Sequence, residues 1–116
     1  MLDKLSKAEA VWIAGGDQWD YVSYWRGTPI DNLINDGIAN RGMTIGGTSA
    51  GMAIQGRYYF SAENGTVTSN TALQDPFDTN ITVDSACFIK NEFLQDVVTD
   101  SHYDDPDRKG RHVVFL

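Results

Sequence analysis

Met43-Thr44-Ile45-Gly46-Gly47-Thr48-Ser49-Ala50-Gly51-Met52-Ala53-Ile54 opens as a short apolar segment, enters a glycine-rich turn and leaves it on residues that suit a helix. A strand, a tight turn and a helix in that order form the repeating unit of a parallel α/β sheet. The turn also fits G-x-S-x-G, with Ser49 at its centre. That pattern acquires chemical meaning between a strand and a helix, where flanking glycines permit a sharp turn and lift the serine above the sheet. The amide of Ala50 then stands at a helix N-terminus, positioned for a developing oxyanion. The same glycine-rich geometry also serves as a plain turn or as a phosphate cradle.

The neighbouring segments extend the pattern. Upstream, Leu2, Leu5 and Ala8 recur at helical spacing, and Ala10-Val11-Trp12-Ile13-Ala14 is an unbroken apolar run ending at Gly15-Gly16. Such a run, without alternation, predicts a strand buried on both faces. Asp17-Gln18-Trp19-Asp20 opens a helix. Thr28-Pro29-Ile30-Asp31 opens another, with Thr28 as cap, Pro29 in the first turn, and Asn40-Arg41-Gly42 at its end. Downstream, Tyr58-Tyr59-Phe60 and Thr66-Val67-Thr68 flank Asn64-Gly65, a hairpin signal. Residues 70–86 read as loop with short strands, and Phe88 to Gln95 as a short helix. Val97-Val98-Thr99 reads as a third buried parallel strand, and Arg108 to Leu116 opens a final helix. Right-handed crossovers are expected throughout.

A serine nucleophile needs a base, and the chain has two histidines, His102 and His112. His102 directly follows the third apolar strand, at the strand end where open α/β sheets hold ligands. His112 sits beside Arg111 in the final helix, where a packed or solvated role fits better. Asp100, two residues before His102, lies along the strand rather than behind the ring, so no convincing third member of a triad emerges. A glycine N–H at Gly15-Gly16 would complete an oxyanion hole, and Gln18 would bind a substrate amide. Asp17 serves equally well as a helix cap. Arg108-Lys109-Gly110-Arg111 is the one basic cluster. It would clamp a substrate carboxylate or balance Asp104, Asp105 and Asp107. Those acids lack the spacing of a calcium loop, and Asn64 and Asn80 head chance glycosylation triplets.

The 116 residues allow one domain. A net charge of −7 argues against a broad nucleic-acid surface, and no apolar run is long enough to span a membrane. No secretory signal is visible at Met1, which makes the cytoplasm the default compartment. The lone Cys87 excludes an intrachain disulfide and a multi-cysteine zinc site, and no metal or cofactor is expected.

Three blocks together resemble the cyanophycinase and peptidase E family of serine peptidases: Ile13-Ala14-Gly15-Gly16-Asp17-Gln18, Gly46-Gly47-Thr48-Ser49-Ala50-Gly51, and Val97-Val98-Thr99-Asp100-Ser101-His102-Tyr103 with the trailing Arg108 and Arg111. The resemblance implies a class I glutamine-amidotransferase-like fold, a three-layer flavodoxin-like α/β sandwich around a mainly parallel sheet. It implies Ser49 as nucleophile, His102 as base, and amides near Gly16 and Ala50 as the oxyanion hole. It further implies Gln18, Asp100, Arg108 and Arg111 as substrate contacts, and a triad Glu that would fall beyond Leu116. The family's glutamine before the histidine is Ser101 here, and its first trailing arginine falls at Pro106. A peptidase of broader specificity, preferring aspartyl-type or acidic peptides, is therefore expected. The rivals are an α/β-hydrolase esterase and a catalytically inactive fragment that keeps the fold. Only about three central strands and abrupt ends predict residues 1–116 to be a partial catalytic domain, truncated at both ends, that associates as a homodimer.

Overall fold

Strand β1, Ala10–Ile13, places Val11 and Ile13 on one face and Trp12 on the other, as the two-residue period of a strand requires. It pairs in parallel with β2, Thr44–Gly47, in the register Ala10↔Thr44 to Ile13↔Gly47. A computed structural model of the chain supplies this geometry and describes residues 1–85 and 88–116. Cys87 lies outside the described residues. The connection between the two strands contains helices α2, Gln18–Trp25, and α3, Pro29–Arg41. The short α1, Leu2–Leu5, precedes β1 and packs on α3.

Local chemistry fixes the helix ends. The Asp17 carboxylate accepts from the Trp19 amide, and the Thr28 hydroxyl accepts from the Ile30 amide. Both satisfy donors that a helix start leaves open. Gly42 ends α3 in the left-handed conformation at φ 64°. The Arg41 guanidinium then reaches back to the Leu5 and Ala8 carbonyls. Val11, Ile13 and Ile45 from the sheet meet Val22, Ile34, Met43, Ile54, Tyr59, Phe88 and Ile89 in the main core.

The opposite face of the pair is open, which corrects the expectation of a strand buried on both sides. Trp12 is 70% exposed, and its ring lies over Gly46, leaving no room there for a Cβ. Helices and a parallel pair make this an α/β arrangement consistent with an incomplete class I glutamine-amidotransferase-like fold.

The second half departs most from the sequence reading. Helix α4, Ala50–Ala53, follows the glycine turn, and β3, Tyr59–Phe60, comes next. β3 pairs antiparallel with β4, Val83–Asp84, instead of closing a hairpin across Asn64-Gly65. The competing signal is Thr68, whose hydroxyl accepts from the Thr71 amide and caps helix α5, Ser69–Gln74. Val67 and Ala72 are drawn into a second core with Phe60 and Phe115, beneath helix α6, Lys109–Phe115. Glu92–Leu94 forms a 3-10 turn. The third strand is not built: among residues 97–99 only Val98 bridges, in parallel to Tyr58. Thr99 instead ties this segment to the end of α4, accepting from the Gly56 amide and donating to the Ala53 carbonyl. That tie brings His102 beside Ser49. No helix among the described residues is long and apolar enough to cross a membrane.

Candidate active site

The site forms where β1 and β2 end together. The Thr48 amide donates to the Ile13 carbonyl, so the turn after β2 is anchored on β1. Ser49 then adopts φ 50°, ψ −120°, a region that non-glycine residues rarely enter and that folds retain where the surroundings enforce it. Here the enforcement comes from close backbone packing. A Cβ on Gly47 would collide with the Gly51 carbonyl, and one on Gly51 with the Ile13 carbonyl. Both glycines let α4 sit directly on the strand ends, which leaves Ser49 projecting from the turn.

Ser49 Oγ lies 2.9 Å from His102 Nε2. The two residues are 53 apart in sequence and meet through the Thr99 tie. His102 is itself left-handed at φ 62°. Its other ring nitrogen, Nδ1, lies 2.9 Å from Asp105 Oδ2. The turn that holds this acid is closed by the Asp105 amide donating to the His102 carbonyl. Asp105 is the residue that sequence reasoning passed over, as one of three clustered surface acids. A carboxylate three residues after a histidine, in a segment rich in turn-forming residues, is the signal that would have found it.

Ser49 and His102 line an open cleft of about 380 Å³ with Gly16, Gln18, Ala50 and Arg108. Among the described residues, neither the Gly16 nor the Ala50 amide has a hydrogen-bond acceptor. Gln18 reaches the cleft but donates its side-chain amide to the Phe60 carbonyl. Arg108 is loosely held, with the Val67 carbonyl at 3.4 Å and the Asp107 carboxylate at 3.6 Å.

Asp100 and Arg111 stand differently. Their side chains are only 6% and 5% exposed and bind each other. Arg111 Nε and Nη2 donate to the two Asp100 oxygens at 3.1 and 2.9 Å, while His112 Nε2 lies 2.7 Å from Oδ2. Asp100 also accepts from the Ser101 amide. The Arg111 guanidinium lies over the Phe60 ring and beside Phe115. His112 is stacked on Tyr103, so it is packed, as its helical position suggested.

Against known proteins, the model for peptidase family S51 matches residues 1–79, more than half the chain and including the Ser49 turn. The chain belongs to peptidase family S51. It is 27% identical over 107 residues to the cyanophycinases of Trichormus variabilis and of a Nostoc species, covering 92% of this chain and 32% of theirs. It is equally similar to the cyanophycinase of Geminocystis herdmanii, of which it covers 35%. The chain thus spans about a third of the length of the curated relatives it matches. No solved structure matches it. The S51 assignment makes this a hydrolase-family chain. The family-model match ends before His102, whereas the 107-residue similarity to the cyanophycinases spans that position; the contact of Ser49 with His102 is an observation of the geometry.

Proposed function

We propose that this S51 chain carries the nucleophile and base of a serine peptidase that cleaves aspartyl-type peptide bonds. The observation that carries the reading is the 2.9 Å contact between Ser49 Oγ and His102 Nε2 at a serine held in a strained turn. A hydroxyl alone is a weak nucleophile, and a neutral imidazole within hydrogen-bond reach removes its proton as it attacks. In this mechanism Ser49 Oγ adds to the amide carbonyl while its proton passes to His102 Nε2. The oxyanion meets the amides of Ala50 and Gly16, each such donor being worth roughly 10²–10³ in rate. The C–N bond then breaks as His102 returns the proton to the departing amine, and water hydrolyses the acyl-enzyme by the same route. Arg108, the loosely held cation of the cleft, supplies the preference for an acidic side group.

The esterase alternative is disfavoured by chain order. In α/β-hydrolases the acid precedes the histidine, whereas the acid that the family resemblance implies follows His102. A fluorophosphonate probe tests the reading. The chain is expected to label on Ser49, and labelling should vanish in Ser49→Ala and in His102→Ala. Equal labelling of Ser49→Ala and the parent chain would overturn it. Faster turnover of a simple acyl ester than of an aspartyl dipeptide would favour the esterase.

Self-association belongs to the same proposal. The open sheet face at Trp12 and two strands that are each an edge favour pairing with a second copy, most simply as a symmetric dimer. Light scattering should give twice the chain mass, and Trp12→Ser should lower it. A monomer at high concentration would refute this part.

A further inference from the structure

We propose that His112 is a positioning residue for His102: it grips the chain on both sides of that histidine and holds its turn over Ser49. The inference rests on the catalytic reading of Ser49 and His102 and gives a task to the second histidine, which the mechanism leaves idle. His102 stands at φ 62°, a conformation that a non-glycine residue keeps only where its surroundings enforce it. Part of that enforcement comes from α6. His112 Nε2 lies 2.7 Å from Asp100 Oδ2, two residues before His102. The His112 ring stacks on Tyr103, the residue after His102, with centroids 5.3 Å apart and planes 6° from parallel. That spacing falls within the range of a favourable aromatic stack. One side chain therefore holds both flanks of His102.

An ionised carboxylate has only acceptors, so Nε2 carries the proton of the Asp100 contact and donates it whether the ring is neutral or charged. The two side chains are 18% and 6% exposed, and a hydrogen bond so shielded is stronger than the same bond in water. Neighbouring groups divide the remaining work. Arg111 takes both Asp100 oxygens, but its guanidinium is lodged against Phe60 and Phe115, where it secures α6 to the second core. Lys109 Nζ lies over the Tyr103 ring at 5.2 Å and so serves the downstream flank. Thr99 ties the segment to α4 from upstream. Among the hydrogen bonds and ring contacts of the described residues, only those of His112 reach both Asp100 and Tyr103.

The test separates grip from packing. His112→Ala should slow fluorophosphonate labelling of Ser49 at saturating probe by about tenfold or more, up to the ~10²-fold that a misplacement of about 1 Å costs. Probe affinity should hold. His112→Gln keeps an N–H within reach of Asp100, and His112→Phe keeps a ring on Tyr103, so each should recover part of the rate. Val67→Ala opens a cavity in the second core beneath α6 and should label like the parent. A second measurement needs no chemistry. The Asp105 amide closes the turn on the His102 carbonyl, and its hydrogen exchange should accelerate in His112→Ala relative to the amides of α3, but not in Val67→Ala. Labelling at the parent rate in His112→Ala, an equal loss in Val67→Ala, or unchanged exchange at Asp105 would overturn the proposal. If Ser49→Ala labels like the parent, the catalytic reading falls, while the exchange measurement still decides whether His112 holds the turn.

Discussion

Asp100→Ala should damage the fold before it damages substrate binding. The carboxylate accepts from the Ser101 amide, from two nitrogens of Arg111 and from His112, all at 3.1 Å or less. Arg111 is 5% exposed, so removing its partner strands a guanidinium between Phe60 and Phe115 with, among the described residues, one remaining long hydrogen bond, to Thr66 Oγ1 at 3.5 Å. Breaking a buried pair from one side costs about 3–5 kcal/mol, mostly as the penalty of the abandoned charge. A chain of this length has a total stability of roughly 6–17 kcal/mol at typical values per residue. The variant should therefore lose roughly a fifth or more of its stability. In urea, with a slope near 1.5 kcal/mol/M, the midpoint should fall by about 2–3 M. Tryptophan fluorescence during urea titration measures it. Replacing both partners, as Asp100→Leu with Arg111→Met, should recover most of the loss, because apolar residues of similar volume remove the stranded charge. A midpoint shift below about 0.5 M in Asp100→Ala, accompanied by weaker substrate binding, would refute this reasoning and return Asp100 to the substrate role that family resemblance implies.

Three further outcomes follow from the same geometry. Gly51→Ala should unfold the turn or displace Ser49, since the added methyl meets the Ile13 and Ala14 carbonyls, which are backbone and cannot swing away. Circular dichroism and probe labelling should fall together, whereas Gly27→Ala, in open space at φ 74°, should cost only about 1–2 kcal/mol. Arg108→Ala should raise KM for an acidic substrate with little effect on a neutral one, and equal effects on both would count against its charge as the determinant. Tyr59 sets an alkaline limit. Burial first, then the Asp84 carboxylate beside it, holds its phenol above its ordinary value. The folded state therefore keeps this proton when the unfolded chain has lost it. That contribution is complete below pH ~10 and is lost as pH rises from there through the folded value. Urea midpoints above pH ~10 should fall less steeply in Tyr59→Phe than in the parent, and parallel slopes would refute the assignment.

The legible part of this fold is local, and the illegible part is a competition between segments. Thr28-Pro29 and Gly42 announce α3, because each acts on backbone groups within a few residues of itself. The serine turn is legible for the same reason, since its glycines are required by contacts that the strand–turn–helix order already dictates. Asn64-Gly65 carries an equally valid turn signal: the Gly65 amide closes a turn on Ala62, and Gly65 sits at φ 105°. The turn forms, but the strand beyond it is claimed by the Thr68 cap and the packing of α5 on α6. β3 is then left to pair with Val83, more than twenty residues away. Val97–Thr99 has the composition of a central strand, yet Thr99 hydrogen-bonds α4 instead of a neighbouring strand. That same tie sets His102 against Ser49, a juxtaposition that depends on a hydroxyl acting across 46 residues. Asp105 was hidden by the opposite circumstance. Its partner is only three residues away, but a cluster of acids near the basic start of α6 reads as solvated charge until the turn from His102 is seen to aim one of them. A pattern search weighs residue types, whereas a contact is decided by which lone pair faces which proton. For that reason the serine of this turn was visible in the sequence and the carboxylate facing His102 was not.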